Sequence, residues 1–157
     1  MTQFRVANRA DAPTLSELAV RSKASWGYSP EFMAIFADEL KISVSDCAAG
    51  LVRVVEDEKL ILGFYKLTNN KPVGELDSLF VEPGYTNRRI GSSLFERAVS
   101  HAKRLGITEL EIVSDPHALR FYDKMGAELI DFSESPSIKG RWLPILRVKT
   151  AEPPKSI

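Results

Sequence analysis

The chain has a single cysteine, Cys47, so no disulfide can close within it, and a lone thiol fits a reducing compartment. It also lacks net charge. With 21 lysines and arginines against 21 aspartates and glutamates, no overall positive field draws it to nucleic acid or to an anionic lipid surface. Any anionic ligand must therefore be bound by a local arrangement. No apolar run approaches membrane-spanning length, and Met1 to Arg9 alternates polar and apolar residues without the apolar core of a signal peptide. The expectation is a cytoplasmic protein with neither nucleic acid nor membrane as partner. No internal repeat, low-complexity tract or linker interrupts the chain, and no metal site is indicated.

What is present is the composition of a packed protein: 157 residues, 44% hydrophobic and 27% charged, enough for one substantial core and too few for two ordinary domains. Residues 1–150 read as that single domain, and 151–157, with two prolines, as a frayed tail.

Periodicity alternates along the chain. Thr2 to Ala7 has strand alternation, and Leu15, Leu18, Ala19 and Ser22 recur at helical spacing after Asp11 and Pro13. Ser29-Pro30 caps a second helix whose stripe is Phe32, Ile35, Phe36 and Leu40. Leu51 to Glu56, Lys59 to Thr68 and Val73 to Val81 are rich in β-branched and aromatic residues and separated by turn material, which predicts an antiparallel meander. Leu94, Phe95, Ala98, Val99 and Ala102 line one face of a third helix that Gly106 stops. Glu109 to Val113 is a strand, Asp115-Pro116 opens a fourth helix ending at Gly126, and Ala127 to Phe132 and Leu143 to Val148 are terminal strands. His101 and His117 are expected at the surface. The fold class is mixed α/β, with a mostly antiparallel sheet of about six to seven strands and about four helices.

Chemistry concentrates between Leu79 and Gly126. The stretch from Leu79 through Glu82-Pro83-Gly84 to Ser92 runs from a strand, through a loop, into an amphipathic helix. A helix N-terminus offers unpaired N–H groups and a positive dipole end, Gly91 allows close approach, and Arg88 and Arg89 add charge, so a pyrophosphate fits there. Neither a nucleotide-hydrolase phosphate loop nor a Gly-x-Gly-x-x-Gly dinucleotide motif is present. Taken alone, the loop reads equally well as a solvated turn with two exposed arginines. The second constellation is Asp115-x-x-Ala118-x-x-Phe121-Tyr122-x-Lys124-x-Gly126.

Together the two stretches resemble the GNAT superfamily of N-acetyltransferases. In that family a Gln/Arg-x-x-Gly-x-Gly/Ala loop binds the coenzyme A pyrophosphate, and an Asn-x-x-Ala-x-x-Phe-Tyr-x-Lys-x-Gly helix supports the thiol end. This chain departs from the pattern at Thr86, Arg89 and Asp115. The resemblance, which spans about Val73 to Ala127, implies a GNAT-like fold in which the strands ending at Val81 and Val113 are parallel neighbours that splay apart. It implies acetyl-coenzyme A as donor, held by Leu79, Phe80, Val81, Asn87, Arg88, Arg89, Ile90, Gly91, Ser92, Asp115 and Tyr122. It also makes Tyr122 the acid for the departing thiol, places the oxyanion donor in the backbone near Phe80 and Val81, and lets the pantetheine arm pair with the free strand edge.

Glu75 and Asp77 lie two residues apart on one strand face, where they read equally as the general base or as solvated carboxylates. Trp26, Tyr28 and Trp142 stand in polar loop contexts and are the candidate acceptor-binding residues. The near-neutral charge favours a small amine or amino acid derivative over a histone tail or polyamine. The function expected is direct acetyl transfer to a primary amine, by a monomer or a homodimer. The alternative kept beside it is an acyl-coenzyme A sensor or interaction module without turnover.

Overall fold

The computed structural model describes residues 2–86 and 89–151. Seven strands form one sheet: β1 (Thr2–Val6), β2 (Val52–Asp57), β3 (Leu60–Thr68), β4 (Val73–Val81), β5 (Glu109–Val113), β6 (Glu128–Glu134) and β7 (Trp142–Lys149). Their order is β1-β2-β3-β4-β5-β7-β6, and every neighbouring pair is antiparallel except β4 and β5. The hairpin between β2 and β3 turns on Glu58 and Lys59, both at positive φ, as a tight primed turn requires.

Five helices cover the sheet: α1 (Ala12–Ala24), α2 (Pro30–Phe36), α3 (Val44–Ala48), α4 (Ile90–Arg104) and α5 (Leu119–Lys124). The Ser29 hydroxyl caps α2 by accepting from the Phe32 amide at 3.3 Å. That helix ends at Phe36, short of the Leu40 expected from its stripe. Helix α3 was not anticipated from periodicity, because five residues hold too little of a 3.6-residue pattern to be seen; its signal is the reciprocal cap between Ser43 and Asp46. The segment opened by Asp115 begins as a 3-10 turn over Pro116–Ala118 before α5 follows. No helix among the described residues is long and apolar enough to cross a membrane.

The sheet separates two cores. Leu94, Phe95, Ala98 and Ala102 of α4 pack with Tyr122 of α5 on one face, and Leu15, Leu18 and Ala19 of α1 pack with Phe36 and Leu40 on the other. His101 is not on the surface as expected. It takes a place beside Ala98 and Ala102 in the buried stripe of α4, 4% exposed, where the Tyr65 hydroxyl satisfies its ring at 2.8 Å.

One local irregularity determines where the site can form. Strands β4 and β5 pair only at Val73–Glu75 with Glu109–Glu111, although β4 runs on to Val81. Against β3, Ser78 pairs with Lys66 and Leu76 with Leu67, so Asp77 is the extra residue of a bulge. A bulge bends its strand and re-aims the side chains that follow. Accordingly Leu76, Leu79 and Val81 all belong to the α4-side core, while Phe80 packs against the other. Beyond the bulge β4 leaves β5, which turns its remaining pairs, Ile112 and Val113, to β7.

Candidate active site

The gap between the diverging strands holds a cavity of about 310 Å³. One wall is β4 from Leu76 to Phe80, the other is Ile112 to Asp115, and Tyr122 of α5 lies at its border. The Glu82 amide donates to Leu62 of β3 at 2.8 Å. Amides alternate in direction along an antiparallel ladder, so that of Phe80 also faces β3 while those of Leu79 and Val81 face the gap. Tyr122 is 6% exposed and packs edge-on against Phe121. Burial raises its pKa above the ordinary tyrosine value, so it remains a phenol at neutral pH. Its hydroxyl has no hydrogen-bond partner among the described residues, which leaves a donor available at the open gap.

A second feature lies across the cavity. Asp115 is a nearly buried carboxylate that accepts from the His117 amide at 2.8 Å and the Tyr28 hydroxyl at 2.8 Å, and meets the His117 ring at 2.9 Å. Two cations join it, Lys23 at 3.4 Å and Arg141 at 3.1 Å, and Arg141 also donates to the Tyr28 hydroxyl at 2.7 Å. Burial would push Asp115 upward, but the His117 and Tyr28 donors and the Lys23 charge outweigh it and hold the carboxyl below its usual range. Burial likewise lowers Lys23 from the ordinary lysine value, and Asp115 offsets only part of this. The Lys23 ammonium rests 4.0 Å from the centre of the Phe36 ring. Lys23 stands one helical turn after Ala19 on the apolar face of α1, so a lysine in a core stripe was the readable signal for a group that was not singled out.

Helix α4 begins where β4 ends. Its first intrahelical bond runs from the Ser93 amide to the Arg89 carbonyl, so the amides of Ile90, Gly91 and Ser92 have no acceptor within the helix. Arg89 is the helix cap, at φ 57 and ψ 19, a left-handed conformation that glycine adopts without strain. That accounts for the glycine found here in the motif this sequence resembles. A Cβ on Gly91 would stand 3.2 Å from the Phe121 ring, so the absent side chain also lets α4 approach α5.

The expected site residues are distributed unevenly. Leu79, Phe80 and Tyr122 line the gap, Val81 ends β4, and Ile90, Gly91 and Ser92 open α4, with the Ile90 side chain in the core, while Asn87 and Arg88 fall outside the described residues. Asp115 caps the 3-10 turn and its carboxylate is committed to Lys23, Arg141 and Tyr28. Asp77 borders the cavity with its carboxylate 3.1 Å from Lys66, whereas Glu75 stands opposite Glu111 outside the lining. Trp26 lines the cavity and stacks on the His117 ring, with 5.7 Å between centroids. Tyr28 stands behind that wall, and Trp142 is 58% exposed while its neighbours Arg141 and Leu143 line the cavity. Glu39 is a further lining carboxylate that periodicity did not indicate. His117 has a carboxylate partner in Asp115, which spacing did not identify. Among the described residues no three histidines, cysteines or carboxylates could hold a metal ion.

A parallel strand pair that opens into a cleft, followed by a helix whose first three amides have no acceptor within it, defines the class as an α/β protein with room for an extended ligand beside a helix N-terminus. The sequence profile of the Acetyltransferase (GNAT) family matches residues 13–127, and the chain belongs to that family. An uncharacterised N-acetyltransferase of Methanocaldococcus jannaschii is 34% identical over 80 residues, which are 49% of this chain and 33% of that protein; the match thus spans about a third of the relative. The fold is similar to that of the PaiA N-acetyltransferase of Thermoplasma acidophilum, solved in complex with coenzyme A, at a TM-score of 0.76 and 23% identity over 95% of this chain and 99% of that one. It is also similar to the ribosomal-protein-S18-alanine N-acetyltransferase of Escherichia coli, at a TM-score of 0.71 and 13% identity over 100% and 99% of the two chains.

Proposed function

We propose that the protein transfers the acetyl group of acetyl-coenzyme A directly to the primary amine of a small molecule or amino acid derivative. The observation that carries this is the Tyr122 hydroxyl, unpartnered among the described residues, on a buried side chain at the edge of the gap that opens between β4 and β5.

Acetyl-coenzyme A supplies an activated thioester when bound. The free amides of Ile90, Gly91 and Ser92 take its pyrophosphate at the positive end of α4, with Arg89 adding charge. The unpaired edge of β4 receives the pantetheine arm as an added strand. Of the two amides that point into the gap, that of Leu79 donates to the thioester oxygen as the amine nitrogen attacks the carbonyl carbon, and that of Val81 to the pantetheine arm. As the carbon–sulfur bond breaks, Tyr122 gives its proton to the departing sulfur and recovers one from solvent when the products leave. Asp77, through water, takes the proton that the amine loses. A module that only bound the acyl donor would have no use for a proton donor in this position.

The acceptor end of the cavity favours the amino acid derivative. Lys23 and Arg141 share the buried Asp115 carboxylate, and Glu39 also bears on Lys23 from the lining; Arg141, which lines the cavity with donors on a planar guanidinium, is the group an acceptor carboxylate would bond. The test is an amine screen read by released thiol. Amines bearing a carboxylate are expected to give at least tenfold higher kcat/KM than their neutral amides, with Arg141→Gln removing the preference. Thiol release that is indifferent to the carboxylate would overturn the acceptor assignment, and no release with any amine would overturn the transfer itself.

A further inference from the structure

A cavity of about 400 Å³ lies away from the acyl-transfer gap, between β1, β2, β3 and the C-terminal half of α4. Arg53, Tyr65, Arg97, Ser100 and Arg104 line it, and no carboxylate does. Arg5 also lines it, and is matched by Asp11 at 2.8 Å and Glu56 at 3.1 Å. Arg53, Arg97 and Arg104 form no ion pair among the described residues. Arg104, in the last turn of α4, is accounted for by the negative end of that helix. The other two are not. Arg97 is drawn over the Phe4 ring, 3.6 Å from its centre, and the Arg53 Nε is buried without any partner.

The polar groups beneath the arginines are arranged so that donors face the cavity. The Arg53 guanidinium lies 3.4 Å from His101 Nε2, and since an arginine only donates, that nitrogen accepts. Burial, assisted by Arg53 and Arg104, pushes His101 down to about 4, so its ring is neutral and its one proton sits on Nδ1. That proton is donated to the Tyr65 hydroxyl at 2.8 Å. The tyrosine, which burial pushes up to about 12, keeps its own hydrogen and has it free to donate. Three guanidiniums without an ion pair among the described residues and two hydroxyls therefore line the cavity, with no carboxylate among the lining side chains. One guanidinium suffices for a monocarboxylate. Three match an anion with more than one charge and several acceptor oxygens, which is the description of a phosphate group.

We propose that this cavity is a second anion site, distinct from the acyl-transfer gap, that binds a phosphate-bearing small molecule through Arg53, Arg97 and Arg104. The probe is inorganic pyrophosphate, titrated into protein saturated with coenzyme A so that the N-terminal end of α4 is already filled. The readouts are the NMR signals of the Ser100 amide and the Arg53 Nε–H, at constant ionic strength. Saturable shifts at those two positions are expected, with affinity at least tenfold weaker in the Arg97→Gln/Arg104→Gln variant and largely kept in Arg97→Lys. Both replaced side chains are exposed, so the variant should fold, and its thermal unfolding checks this. Shifts that follow ionic strength alone, shifts confined to Ile90–Ser92, or equal affinity in the double variant would each overturn the site. Tighter binding of citrate than of pyrophosphate would overturn the assignment to phosphate.

Discussion

Strand β4 changes partners along its length. Its first residues, Val73–Glu75, are zipped to β5, whereas Leu76–Val81 bond to β3 alone and leave their other edge open. The zipped stretch, Val-Gly-Glu, has the weaker strand composition of the two, so propensity does not explain which one keeps both partners. What does is the Asp77 bulge, which turns the second stretch away. The zipped stretch fixes the position of the sheet, and the open one is free to receive a ligand backbone. A protein that bonds every strand edge is stable, and one that leaves a buried edge open has made room for something else.

If the open stretch is where chemistry occurs, the largest effect should come from Tyr122. Tyr122→Phe keeps the ring against Phe121 and removes only the donor, so kcat is expected to fall by roughly 10²–10⁴-fold. The KM for acetyl-coenzyme A should barely change. Steady-state rates at saturating amine read this, and unchanged turnover would make the hydroxyl a spectator.

The zipped stretch should respond in stability instead. A Cβ on Gly74 would stand 2.8 Å from the Thr68 carbonyl oxygen and 2.8 Å from Ile107, so Gly74→Val overpacks the joint between β4 and β5. A loss of about 2–3 kcal/mol is expected in urea unfolding, with the kcat of the folded fraction retained. A comparable loss of kcat would mean that the two stretches are not independent.

The smallest effect concerns pH at the rim of the gap. Asp115 has a lower pKa folded than its ordinary 3.8, so the unfolded chain binds its proton first. The stability this group contributes is therefore complete above about pH 5 and is lost as pH falls through the folded value. Wild type should lose stability more steeply than Asp115→Asn below pH 4, and parallel acid limbs would show that the carboxylate is not preferentially ionised in the fold.

Much of this comparison was legible in the sequence. The β2–β3–β4 meander and the stripe of α4 follow from residue types and spacing, whereas the parallel pair that α4 bridges and the place of Tyr122 beside the gap came from the family resemblance. The bulge at Asp77 was not singled out, although the alternation breaks there, with Asp77 and Ser78 both polar between Leu76 and Leu79. Nor was the Asp115 cluster, whose contact with Tyr28 joins residues 87 apart in the chain. His101 was misplaced because a histidine on an apolar stripe reads as an edge residue until Tyr65 supplies its partner.

Hydrogen exchange along β4 tests the central claim directly. Acetyl-coenzyme A should slow exchange at the Leu79 and Val81 amides by at least tenfold, as the open edge gains a partner, while the amides of Val73–Glu75 stay as they were. Binding that leaves Leu79 and Val81 unprotected would contradict the account.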